Sequence, residues 1–271
     1  MTQERALRGP RLGRAPAYLL LLGLLGLAFL VVPLLALAGR TPLRGLPERI
    51  AQPFVLDALW LSLWTATAAM AISLVVGLPI AWALARLDFR GRSLVRVLVT
   101  VPLVLPPVVA GVALLTAFGR SGVIGGPLRE LGISIPFTTT AVVIAHTFVA
   151  LPFLVVSVEG VFRATSREYD EVAAVLGATR GRAFRRVTVP MALPGIAAGL
   201  VLGWARSLGE FGATITFAGN YPGVTQTMPL AVYQALQSDP EAALVLSLLM
   251  LLVSIGVLAL LRERWFGQVV P

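Results

Sequence analysis

The chain of 271 residues is 57% hydrophobic and only 13% charged, against roughly a quarter charged in ordinary soluble domains, which points to a polytopic membrane protein and away from a soluble core. It has no cysteine, so disulfide and thiolate chemistry are excluded. Its net charge is +9, with arginine at all 22 Lys/Arg positions, and where those arginines fall decides what the basic excess means.

Six segments are long and apolar enough to span, because about 20 apolar residues cross the hydrocarbon core. In chain order they are predicted at Ala17–Ala38, Ala58–Ala85, Leu94–Phe118, Phe137–Val158, Met191–Phe217 and Ala242–Leu261. A basic tail over 1–16 (Arg5, Arg8, Arg11, Arg14) precedes the first of these. The run followed by "ALA" at 36–38 resembles a secretory signal, but at some twenty residues it exceeds the usual signal core of roughly 7–15. It is therefore expected to stay as a first transmembrane helix with its outer loop, residues 17–57. A core over 58–265 follows, then a short cytoplasmic tail over 266–271.

With the amino terminus inside, 16 of the 22 arginines lie on the cytoplasmic side: the tail, Arg86, Arg90, Arg92 and Arg96, the long fourth loop, and Arg262 and Arg264. Five face outward and Arg206 lies within a span. This is the positive-inside pattern and gives the orientation. It accounts for the basic excess and leaves no case for nucleic acid; the surrounding partner is membrane lipid.

Inside the third span, Pro102, Pro106 and Pro107 predict kinks, as does Pro152 in the fourth, because proline removes a backbone donor. In the fifth, Gly195, Gly199 and Gly203 recur every four residues and form a smooth face on which another helix can pack closely. The spacing leaves open whether that helix belongs to the same subunit, to a second one, or to a moving interface. Arg206 and Glu210 follow at i,i+4, about 6 Å apart in rise. Each charge costs roughly 2.5–3.5 kcal/mol at mid-membrane, so both should face a partner or water. Arginine ahead of glutamate is the weaker order for a helical pair. Two readings stand: a structural ion pair, or a pathway or gate in which Arg206 attracts an anion, Glu210 weakens the site, and Thr214 offers a hydroxyl.

One polar stretch, "YDEVAAVLGATRGRAFRRV" at 169–187, interrupts this apolar chain. It lies in the cytoplasmic loop 159–189. "REYDEVAAVL" (167–176) predicts a short helix whose early acids complement its dipole. Gly177 then breaks it by taking positive φ, and a basic second helix leads to Pro190 and Pro194. Small residues (Ala173, Ala174, Ala178) make this a compact knob suited to another protein's groove; composition alone would equally allow a solvated amphipathic loop.

"EVAAVLGATRGRAFRRVTVPMALPGI" (171–196) resembles the coupling loop of binding-protein-dependent ABC importer permeases, with Val172 breaking the strict E-A-A triplet and Val189 where leucine is usual before Pro190. "ARSLGEFGATITFAGNYPGVTQTMPLAVY" (205–233), "PLVLPPVVAGVALLTAFGRSGVIG" (102–125) and "HTFVALPFLVVSVEG" (146–160) resemble molybdate importer permeases, so that the likeness covers the chain from about residue 58. It implies an all-α, type I ABC importer permease in a bacterial or archaeal cell (inner) membrane, carrying molybdate or tungstate. Sulfate and thiosulfate permeases share the GEFG-like and AGN elements and are the alternative. The resemblance also implies that Glu171, Ala173, Ala174, Gly177 and Ala178 meet the ATPase. The expected partners are a second permease copy (a homodimer), two cytoplasmic ABC ATPase subunits, and an extracellular or periplasmic oxyanion-binding protein.

The chain carries no G-x-x-x-x-G-K-[ST] phosphate loop, so it is expected not to be an enzyme, with ATP and magnesium on the partner ATPase and no cofactor of its own. His146 is the only histidine and has no accompanying metal-ligand or nucleophile pattern. It is expected to be a hydrogen-bonded intramembrane residue, with no metal and no catalytic group. A channel or ion-coupled secondary transporter, the rival from another class, would call for inverted repeats or discontinuous binding helices, and no duplication is visible.

Overall fold

The structure, a computed structural model, describes residues 17–266. The predicted basic tail at 1–16, residues 267–271 of the predicted end tail, and the side chains of Arg262 and Arg264 lie outside the described residues. Every regular element within them is helical: α1 (Ala17–Arg40), α2 (Leu46–Ile50), α3 (Pro53–Arg86), α4 (Arg92–Val104), α5 (Pro107–Phe118), α6 (Gly125–Glu130), α7 (Thr139–Ala164), α8 (Glu168–Val175), α9 (Arg180–Ala183), a π turn (Phe184–Thr188), α10 (Val189–Leu208), α11 (Gly212–Phe217), α12 (Met228–Ser238) and α13 (Pro240–Phe266).

Five helical stretches are long and apolar enough to cross a membrane: α1, α3, α7, the run from α9 through α10, and α13. The third predicted span is not one helix. It is divided into α4 and α5, because Leu105 and Pro106 are both extended, with ψ of 129° and 134°. Each of these residues precedes a proline, whose ring disfavours helical backbone in the residue before it. Two prolines in series thus convert the expected kink into a break. The fifth predicted span is also divided, α10 ending at Leu208 and α11 starting at Gly212. Three short helices, α2, α6 and α12, lie where sequence reading has only loop.

The core is organised around α7. On one side it packs with α3 and α10 through Met70, Leu84, Leu154, Phe162 and Ile196. On the other it packs with α5 and α11 through Leu114, Val149, Ala213 and Phe217. A third cluster joins the start of α3 to α12 and α13 through Val55, Met228 and Leu246. Helix α1 buries no residue. Being apolar all round, it has the character of a helix solvated by lipid.

The glycine face of α10 is filled from within the chain. A Cβ on Gly195 would overlap Val161 of α7, one on Gly199 would lie 3.1 Å from Leu154 and Ser157, and one on Gly203 would lie 2.9 Å from the Met70 thioether of α3. Internal packing therefore accounts for this spacing, and the face offers no groove to a second subunit. The half-helices α5 and α11 approach in the same way: a Cβ on Gly111 would come 2.6 Å from Thr216, and one on Gly212 would come 2.7 Å from Pro107.

Gly195→Ala should lower thermal stability. The helix propensity gained is about 1 kcal/mol, whereas forcing a methyl into a filled site costs roughly 1–3 kcal/mol. Thermal unfolding in detergent should show a lower midpoint, while Gly126→Ala, with nothing within 4 Å of its added methyl, serves as a neutral control.

Candidate functional site

Two places concentrate polar chemistry. The first is the knob, α8 through the π turn. Helix α8 begins with Glu168, Asp170 and Glu171 in its first turn and stops at Gly177, whose φ is +80°. There the Gly177 N–H donates to Ala174 O and the Ala178 N–H to Ala173 O, both at 2.9 Å, the paired bonds of a Schellman stop. Thr179 opens α9, its hydroxyl accepting from the Arg182 N–H at 3.4 Å. Of the residues assigned to ATPase coupling, Glu171, Ala174 and Gly177 are exposed, Ala178 is half-buried and Ala173 is buried against its own chain. The exposed surface is chiefly apolar, with Val175 87% and Leu176 82% accessible.

The knob is held by contacts that sequence reading missed. Asp170 lies in the first turn as expected and also turns inward: Thr188 Oγ1 donates to its Oδ1 at 2.7 Å, and Arg86 Nε lies 3.3 Å from its Oδ2. Arg86 is the last residue of α3 and its side chain is only 7% exposed. Phe184 lies edge-on to Trp82, ring centroids 5.7 Å apart, and near Phe162 at 6.4 Å. No local pattern marks these partners, because Arg86 and Asp170 are separated by the whole of α4 to α7. Around the same end, Arg92 donates Nε and Nη2 to Leu84 O, closing α3. Glu159 Oε1 accepts from Arg96 Nη2 at 2.8 Å and from Arg163 Nε at 2.9 Å.

The second place is where α10 gives way to α11. Arg206 Nη1 lies 2.8 Å from Glu210 Oε2, so the i,i+4 pair forms. The N–H is not directed along a hydrogen bond, leaving Oε2 an ion-pair partner only. The other oxygen, Oε1, accepts from the Ala213 N–H at 2.8 Å, satisfying a donor in the first turn of α11. Arg206 is 32% exposed and Glu210 1%. Thr214 is buried, and its hydroxyl has no hydrogen-bond partner. His146 is buried too, but neither ring nitrogen is hydrogen bonded, which corrects the expectation of a bonded intramembrane histidine. No grouping of His, Asp or Glu among the described residues could hold a metal ion.

Comparison with known proteins places these features. The family described as binding-protein-dependent transport system inner membrane component matches residues 75–268. The chain is 48% identical over 239 residues to the molybdenum transport system permease protein ModB of Mycobacterium bovis, covering 88% of this chain and 90% of that one. It is 34% identical over 261 residues to the sulfate transport system permease protein CysW of Escherichia coli, covering 93% and 89%. A chain of the crystal structure of a bacterial ABC transporter that imports the acidic polysaccharide alginate superposes with a TM-score of 0.71 at 18% identity, covering 93% of this chain and 96% of that one. At that identity the likeness is one of fold.

Gly177→Val should loosen the knob. Nothing lies within 4 Å of a Cβ there, so the cost is conformational, about 1–2 kcal/mol for a side chain at left-handed φ. Hydrogen exchange should rise across 168–178 and remain unchanged in α3 and α7.

Proposed function

We infer function from family, since this chain belongs to the inner membrane components of binding-protein-dependent transport systems. It is a multi-pass permease subunit, and the cargo we propose is a tetrahedral oxyanion, molybdate or tungstate. One observation carries this choice: the similarity to a molybdenum permease across most of both chains. Sulfate or thiosulfate is the second reading, supported by a weaker similarity that spans still more of this chain.

In this reading the chain does no nucleotide chemistry, having no phosphate loop of its own. Two copies pair, two ATPase subunits bind ATP and magnesium, and a binding protein delivers the anion outside. The exposed apolar surface of α8 supports docking of the knob on the ATPase. Reconstituted in vesicles with a cognate ABC ATPase and an oxyanion-binding protein, the chain should support ATP-dependent molybdate uptake. An excess of tungstate should suppress that uptake and an excess of sulfate should leave most of it. Uptake of sulfate in preference to molybdate would move the assignment to the second reading.

Arg206, Glu210 and Thr214 complete the proposal. Arg206, whose side chain is 32% exposed, is the cation we assign to meet a passing anion. Buried Glu210 neutralises it enough that the anion is released. Removing Arg206 alone strands a buried carboxylate, which costs about 3–5 kcal/mol where both partners are fully buried and less here. Arg206→Gln should therefore lower the yield of folded protein. The double variant Arg206→Gln with Glu210→Gln should restore folding but lose most molybdate uptake. Normal uptake in the stable double variant would reduce the pair to a structural role.

A further inference from the structure

We infer that Asp170 is the joint through which movement of the knob reaches the membrane helices, a positioning role that rests on the importer reading above. Its carboxylate is the one group on α8 with polar contacts both to the end of a membrane helix, α3, and to the π turn that leads into another, α10. Oδ2 pairs with Arg86, the last residue of α3. Oδ1 accepts from Thr188, the last residue of the π turn that runs into α10 without interruption. Those two helices share the central apolar cluster, so a pull on both ends of this carboxylate is a pull on the core.

The knob's other attachments are of a different kind. Phe184 against Trp82 and Phe162, and Ala173 and Ala183 against the chain, are apolar contacts. Burial is non-directional, so such contacts hold the knob while letting it slide or turn. A carboxylate with one oxygen at the end of α3 and the other on the turn into α10 resists that slip. The π turn at 184–188 is an irregularity of the sort frequently found at functional sites, and it ends at the residue that Asp170 grips.

The joint also has room to work. A cavity of about 320 Å³ opens beside Arg86, Asp170, Phe184 and Thr188. The Arg86 Nε and Nη2 donors are buried and make no directed hydrogen bond. The 3.3 Å ion pair is thus a loose contact with unused donors. A small displacement of α8 can close it into the two-pronged geometry that guanidinium and carboxylate favour, keeping α8 linked to α3 through the motion.

Asp170→Asn retains volume and the acceptor for Thr188 and removes the charge facing Arg86; Thr188→Val removes the other arm. Each variant would be assembled with the ATPase and binding protein in vesicles, measuring ATP hydrolysed, molybdate moved and the thermal midpoint. The expected result is full assembly, hydrolysis near the wild-type rate, and a fall of about tenfold in molybdate moved per ATP, the size of a mid-range coupling between paired side chains. An unchanged ratio in both variants overturns the inference. So does a parallel loss of hydrolysis, uptake and thermal midpoint, which is what a merely structural contact would give. If Asp170→Asn fails to assemble, the ratio in Thr188→Val decides. Absence of ATP-driven oxyanion uptake in the wild-type assembly would instead refute the importer reading itself.

Discussion

A charge inside an apolar bundle must be neutralised within a few ångströms, and the joints of this fold follow from that requirement. Removing charges from water costs several kcal/mol each, recovered only when geometry is good. Three carboxylates answer it with arginine: Glu159 and Glu210 are themselves buried, and half-buried Asp170 faces the buried side chain of Arg86. Glu210 holds Arg206 where α10 stops; Glu159 draws Arg96 of α4 and Arg163 of α7 together; Asp170 ties α8 to the end of α3. Apolar packing brings α3, α7 and α10 side by side, but it has no preferred azimuth along a smooth helix. The ion pairs fix positions at the places where the chain changes course.

The helix breaks show how far sequence reasoning extends. Pro106 and Pro107 announce an irregularity, and its severity follows from both residues before a proline being pushed to extended backbone. The stop at Gly209 is harder to see. The residues after it, "FGATITF", continue the apolar run, and hydropathy reports which solvent a residue prefers, not whether its backbone bonds continue. Glu210 is the better signal: a carboxylate in mid-membrane needs donors, and a helix start offers them. Its Oε1 takes one from Ala213. Helix α12 escapes notice because "MPLAVYQALQS" is too short to span, though the proline near its start suits a first helical turn.

Residues close in sequence were the legible part of the site. The knob's helix, its stop at Gly177 and the Arg206–Glu210 pair all depend on spacings of a few residues, and each is present. The Asp170 joint depends on Arg86, which the topology brings from far along the chain, so spacing carries no trace of it. The glycine spacing on α10 is intermediate. Four-residue recurrence of a missing side chain says that something approaches closely, and only the fold says what: Val161, Leu154, Ser157 and Met70 of the same chain.

The exposed apolar residues of the knob call for a different explanation from those of α1. Helix α1 is uncharged from Ala17 to Gly39 and apolar on every side, so hydrocarbon is a sufficient solvent for it. Along α8 and its two flanking residues, about two and a half turns, Val172, Val175 and Leu176 alternate with Arg167, Glu168 and Glu171, all exposed. Hydrocarbon would strand those charges and water would leave the valines and leucine bare. In the docking we propose, that surface would be satisfied by a protein groove whose floor is dry enough to take Val175 and Leu176 and whose rim stays wet around Glu171. A groove of that form binds through burial at its centre and is oriented by charges at its edge. In such a contact the carboxylate at position 171 would orient the knob while the apolar tip supplied the affinity, and the inward-facing Asp170 would keep its contacts to Arg86 and Thr188.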